Sequence, residues 1–141
     1  MREILFRGKR MDNDEGEFVY GIPVEGEPLL GMGKRTYIIT KPGVQWVDGV
    51  YMTYDECVEV DPDTIGQFTG LTDKNGVKIF EGDIVRYGQR GKVEYNSGSA
   101  QFTLNFTNST YEGFDKIPFC DCEVLGNIYD TPELLEVSGN E

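Results

Sequence analysis

Short alternating runs of apolar and polar residues follow one another along the chain, each closed by glycine, proline, asparagine or aspartate. Alternation sends successive side chains to opposite faces of a pleated strand, so the pattern predicts β-structure. A first strand spans Arg2 to Arg7, with Ile4 and Phe6 on one face and Glu3, Leu5 and Arg7 on the other. The polar turn Asp12-Asn13-Asp14-Glu15-Gly16 leads into a strand from Glu17 to Ile22, where Phe18, Tyr20 and Ile22 alternate with Val19 and Gly21. Together these two strands read as an N-terminal β-hairpin.

Residues 23–34 are rich in Gly and Pro and read as loop. A short strand is expected from Arg35 to Thr40, ended by Pro42-Gly43. Val44 to Met52 reads as a hairpin across Asp48-Gly49, a tight-turn dipeptide, and Cys57 to Val60 as a strand closed by Asp61-Pro62-Asp63.

The pattern tightens from Thr64. Thr64 to Gly70 and Val77 to Phe80 read as two arms joined through Asp73-Lys74-Asn75-Gly76. Asn-Gly tolerates the left-handed conformations that such a turn needs, so Gly76 is expected at positive φ. Glu81-Gly82-Asp83 turns into Ile84 to Tyr87, Gln89-Arg90-Gly91 links to Lys92 to Tyr95, and Ala100 to Phe106 alternates strongly with Phe102, Leu104 and Phe106 on one face. Glu123 to Tyr129 is a further strand. Thr131-Pro132-Glu133-Leu134-Leu135 offers an N-cap and a first-turn proline for a short helix. Strands every 8–12 residues with turns between them point to a small barrel or sandwich. The rhythm of 82–87 and 91–93 suggests an SH3-like barrel. The expected fold class is therefore all-β: an N-terminal β extension with a variable middle over 1–63, an SH3-like β-barrel with a short C-terminal helix over 64–135, and a flexible tail at 136–141.

Charge narrows the functions such a fold can serve. The net charge is −12, and acids outnumber bases in both halves of the chain, so no cationic module hides behind an acidic one. Phosphate backbones and anionic lipid surfaces would repel it. The start is charged again at Arg7, Lys9 and Arg10 and lacks the apolar stretch of a signal peptide, and no run is long enough to span a bilayer. The three cysteines are then expected to be reduced thiols in a reducing, cytoplasmic compartment.

Candidate chemistry is sparse. The chain has no histidine, which removes Ser-His and Cys-His nucleophilic pairs and imidazole metal ligands. Cys120-Asp121-Cys122 and Cys57 lack the paired spacing of a zinc site. Asp12-x-Asp14-x-Gly16 resembles a calcium loop, but its glycine comes one place early and no glutamate closes it. No phosphate loop or dinucleotide fingerprint is present. No catalytic, cofactor-binding or metal-binding residue is therefore assigned. A small basic focus at Arg86, Arg90 and Lys92 beside Tyr87 is the one candidate interaction surface. It is weighed against core aromatics beside a solvated turn, which the surrounding negative field favours.

Three segments resemble the YopX family of bacteriophage and prophage proteins. They are Met1 to Gly8 with Val19-Tyr20-Gly21; Thr64 to Val85, the most specific; and Glu123 to Leu135. The resemblance implies a phage or prophage origin and a mainly β fold, and it carries over no catalytic residue. The segments 23–60 and 96–120 match no motif of the family. The expected function is a non-enzymatic accessory protein that binds a host protein, by strand addition or with self-association as a further mode. The alternative is a nucleic-acid-related role: weak single-strand binding by the barrel, or acidic mimicry of DNA against a host enzyme. Duplex DNA is not an expected partner.

Overall fold

The computed structural model describes residues 3–12, 16–27, 31, 33–44, 52–107, 110–114, 117–118 and 121–136, with backbone alone at 42–44 and 52–55. All pairing is antiparallel, and the only helical segments among these residues are single 3-10 turns. The chain divides into two units, residues 3–67 and Phe68 onward. No helix among the described residues is long and apolar enough to cross a membrane.

In the first unit, β1 (Phe6–Lys9), β2 (Phe18–Gly26), β3 (Arg35–Val44) and β4 (Met52–Glu59) form a meander in the order β4-β3-β2-β1. The expected hairpin is therefore half of a four-stranded meander. β2 runs on to Gly26, through residues expected as loop, because Ile22 to Gly26 pair with Ile39 to Arg35. β3 likewise runs through Pro42-Gly43. The register shifts between Ile39 and Lys41 and again between Lys41 and Pro42, and such bulges tolerate a residue with no N–H to donate. The Asp48-Gly49 turn lies outside the described residues, although its flanks Val44 and Met52 are paired. The first residues of β5 (Gly66–Thr72) pair with β1, Phe6 opposite Gln67. Ile38 and Val60 are fully buried here, and Gly8 lets Val60 approach: a Cβ at Gly8 would stand 3.1 Å from it.

The second unit contains the rest of β5, β6 (Lys78–Phe80), and a sheet of β7 (Asp83–Tyr87), β8 (Gln89–Asn96), β9 (Gln101–Phe106), β10 (Tyr111–Gly113) and β11 (Glu123–Asn127). Its order is β10-β9-β8-β7-β11. The stretch 89–91, expected as a link, belongs to β8, and the chain reverses at Gly88, φ +74°. One sheet face carries Val85, Val93, Phe102, Leu104 and Phe106, which pack with Ile79, Ile117 and Cys122 as the core.

Two expectations are corrected. The strands do not close into a barrel, since β10 and β11 remain the ends of an open sheet. Closure needs free backbone donors along an edge, and the β11 edge is occupied: Val124 N–H donates to the Asp73 carboxylate at 2.9 Å and Asn127 N–H to Thr131 Oγ1 at 3.3 Å. The C-terminal helix is a single 3-10 turn, Pro132–Leu135. Thr131 makes no side-chain cap bond to it, because its hydroxyl is held by Asn127, donating to that carbonyl at 3.2 Å. One short uncapped turn does not nucleate an α-helix.

Gly21 is the tightest point of the first unit. A Cβ there would lie 1.9 Å from the Ile39 carbonyl oxygen. Gly21→Ala should therefore lower the unfolding free energy by about 1–3 kcal/mol, the usual range for overpacking. Urea titration followed by circular dichroism checks this, and an unchanged midpoint would show that the β2–β3 pair can spread.

Candidate functional site

The residues of the basic focus lie on neighbouring strands, and the structure brings three of the four to one face. Arg86 of β7 stands opposite Arg90 of β8, and Lys92 follows two positions along the same strand. Tyr87 points to the opposite face, where it packs against the core. Each cation is engaged. Arg86 Nη2 is paired with Glu123 Oε1, its cross-strand neighbour on β11. Lys92 Nζ lies 2.7 Å from Glu94 Oε1. Arg90 Nη1 donates to the Leu134 carbonyl oxygen at 3.2 Å, so it tethers the C-terminal turn to the sheet. The network continues through Asn105, whose amide donates to Glu94 at 2.6 Å and accepts from the Thr103 hydroxyl at 2.7 Å. The same face receives the C-terminal turn because position 126 is glycine: a Cβ there would meet Thr131 Oγ1 at 2.2 Å.

The segment 73–83 is built around two buried carboxylates. Asp73 Oδ1 accepts from the N–H groups of Asn75 at 2.8 Å and Val77 at 2.9 Å, closing the turn, while Oδ2 takes the Val124 N–H. Lys74 N–H adds a second tie by donating to the Cys122 carbonyl at 3.0 Å. Burial pushes the Asp73 carboxyl up, but the donors at Val124, Val77 and Asn75, with the charge of Lys74, together hold it below the usual carboxylate value. Gly76 completes the turn at φ +80°. Asp83 accepts from Phe80 N–H at 2.8 Å. Gly82, φ +93°, donates to the Val93 carbonyl and accepts from Ile128 N–H, both at 2.9 Å.

The first unit presents a different surface. Register places Ile22 opposite Ile39, Val24 opposite Tyr37, and Ile39 opposite Cys57, so these side chains share one sheet face with Tyr20 and Phe18. Ile39 is buried, but Tyr20 is 46% and Ile22 44% exposed, and Cys57 is also exposed. At the β1 end, the Arg7 guanidinium and the Lys9 ammonium sit 4.1 and 4.3 Å from the Phe18 ring centroid. At the β4 end, Arg35 Nη1 meets Glu59 Oε2 at 3.1 Å. A half-exposed apolar band with charged margins is the pattern of a contact surface.

Of the remaining candidates, Cys122 is buried, its thiol donating to the Pro118 carbonyl oxygen at 3.7 Å, and Cys120 and Asp14 lie outside the described residues. Asp12 is bound by Arg10, Nη2 to Oδ2 at 2.7 Å, which lowers its carboxyl from the ordinary value. Among the described residues no three Cys, Asp or Glu side chains gather as metal ligands would.

The YopX protein family model matches residues 32–136. The chain belongs to the YopX family. No curated protein matches it. Among solved structures, the crystal structure of protein EF1440 from Enterococcus faecalis is similar, with 25% identity, a TM-score of 0.56, and coverage of 96% of this chain and 99% of that one.

In this YopX chain the segments 64–85 and 123–135 are bound to each other through Asp73–Val124 and Gly82–Ile128. They read as scaffold. Sequence reasoning placed the turn at 73–76 but missed Asp73 as its organiser. The available signal was an aspartate two residues before Asn-Gly, the arrangement in which a carboxylate caps N–H groups further along its own turn.

Asp73→Asn should destabilise the chain by at least about 2 kcal/mol, since an amide replaces a charged acceptor of three backbone donors. The folded carboxyl titrates below its unfolded value of about 3.9, so its stabilisation is complete above that pH and is lost as pH falls through the folded value. Denaturant titrations from pH 7 to pH 2.5 should show a smaller acid loss for the variant. Equal acid limbs would remove Asp73 from that role.

Proposed function

We propose that this YopX-family chain is a non-enzymatic binding module of phage or prophage origin that engages a protein partner in the cytoplasm of a bacterial host. The observation that carries the reading is the exposed band of Tyr20 and Ile22 on the N-terminal meander, contiguous with Val24, Tyr37 and Cys57. Aromatic and aliphatic side chains left half in water beside charged margins gain by being covered, and tyrosine is a frequent anchor at protein interfaces.

The nucleic-acid alternative finds less support. Arg86 and Lys92 are matched to Glu123 and Glu94, so binding phosphates would first require breaking those pairs, in a chain of net charge −12. No appreciable binding to duplex DNA is expected at physiological salt, and only weak binding to single strands. Fluorescence anisotropy across a salt series checks this, and micromolar duplex binding that falls steeply with salt would overturn the protein-partner reading.

The positive test uses the surface itself. Tyr20→Ser with Ile22→Ser should leave the melting temperature within about 2–4 °C, because exposed substitutions cost little. A photo-crosslinker placed at Ile22 should capture a discrete partner from host lysate, and the same crosslinker at exposed Val77 should not. Loss of that partner from pull-downs with the double serine variant supports the reading. Equal capture from both positions refutes it.

A further inference from the structure

The strand edges of the molecule are unequal. β11 is closed by Asp73 and Thr131, as described above. β6 and β10 are three residues long, and in β6 the Phe80 N–H is already taken by Asp83. β4 differs. It has eight residues, pairs with β3 on one side with register shifts opposite Ile39 to Pro42, and among the described residues it ends the strand order of its sheet. A long strand edge is a template for an added strand.

Charge decides which strand. β4 reads Met52-Thr53-Tyr54-Asp55-Glu56-Cys57-Val58-Glu59, and Asp61 and Asp63 follow directly. Glu56 and Cys57 are exposed; Glu56 accepts from the Thr40 hydroxyl at 2.8 Å, and Glu59 pairs with Arg35. A second copy adding antiparallel about a two-fold axis centred on Glu56 would set that carboxylate against itself. Like charges directly opposite one another destabilise a strand pair, and opposite charges stabilise it. The net charge of −12 adds attraction for a cationic partner and repulsion between copies.

We infer that the outer edge of β4 accepts an extended, lysine- or arginine-rich segment of a partner protein as an additional antiparallel strand. This deepens the binding-module reading and rests on it. Alternate residues of the added strand would lie beside Cys57 and extend the apolar face of Ile39 and Ile22, while its cations, on the other face, would meet Glu56.

The probe is an end-blocked, fluorescein-labelled peptide of four Lys-Val repeats, with four Glu-Val repeats as control. The Lys-Val peptide should bind the full chain saturably, weaken as salt rises, and shift the backbone amide resonances of 52–59 more than those of β10. Glu56→Lys should weaken it by about fivefold or more, since one attractive cross-strand pair becomes repulsive. Circular dichroism and melting confirm that this variant is folded. No saturable binding, equal binding of the Glu-Val peptide, undiminished binding by the variant, or amide shifts confined to other strands would each overturn the inference. So would concentration-dependent dimerisation through the 52–59 amides, which would assign the edge to a second copy. Crosslinking at Ile22 separates the two claims: a partner captured there while the peptide leaves β4 untouched sinks the edge proposal and leaves the binding-module reading intact.

Discussion

One buried carboxylate organises the C-terminal unit. Asp73 accepts N–H groups from its own turn and from β11, a strand that follows it by about fifty residues. A charged acceptor in a low-dielectric site is stabilising only when its lone pairs are occupied, and here backbone dipoles do that work instead of a counter-ion. The consequences spread outward. Held by Asp73 and by the Lys74–Cys122 bond, β11 is fixed beside β7, and its outer edge is filled. An edge filled by a turn cannot receive another strand, so the sheet stays open and is nonetheless protected on that side. The C-terminal turn then seats against the sheet over Gly126, tied by Thr131 and Arg90.

The polar face of that sheet illustrates how a cluster of charges differs from a binding site. Arg86, Arg90 and Lys92 form a basic focus in the sequence, but Arg86 and Lys92 find acidic partners on different strands and Arg90 holds the Leu134 carbonyl. Glu94 is a near neighbour along β8, whereas Glu123 arrives only because β11 pairs with β7 in that register. Once paired, these cations belong to a half-exposed network with Asn105 and Thr103. Exposed ion pairs of this kind contribute little to stability. Their effect is to neutralise a face that would otherwise attract phosphates.

The N-terminal unit carries the opposite signature. Its sheet buries Ile38 and Val60 on one side and leaves Tyr20 and Ile22 half in solvent on the other. Alternation along β2 shows which residues share that face, so the band was legible as a pattern. Its exposure was not, because alternation says only that two faces differ and leaves open which of them meets a core. The same limit applies to β4. The strand was visible only from Cys57, and its long run back to Met52 depends on pairing with β3 across a bulge.

Local chemistry therefore settled a good deal in advance. Strand alternation made the chain all-β. Asn75-Gly76 called for positive φ, which the turn adopts, and the Thr64–Val85 and Glu123–Leu135 segments pointed to the YopX family. These features depend on residues close together in the chain, whose conformational preferences act without help from elsewhere. What tertiary structure decided were matters of partnership at long range. It chose an open sheet over a closed barrel, because Asp73 reached β11. It made a 3-10 turn of an expected helix, because Thr131 was drawn to Asn127. It extended β2 and β3 through glycine and proline, because a neighbouring strand offered hydrogen bonds that outweighed local preference. Each of these choices turns on which donor meets which acceptor across the fold, and no single stretch of sequence contains both.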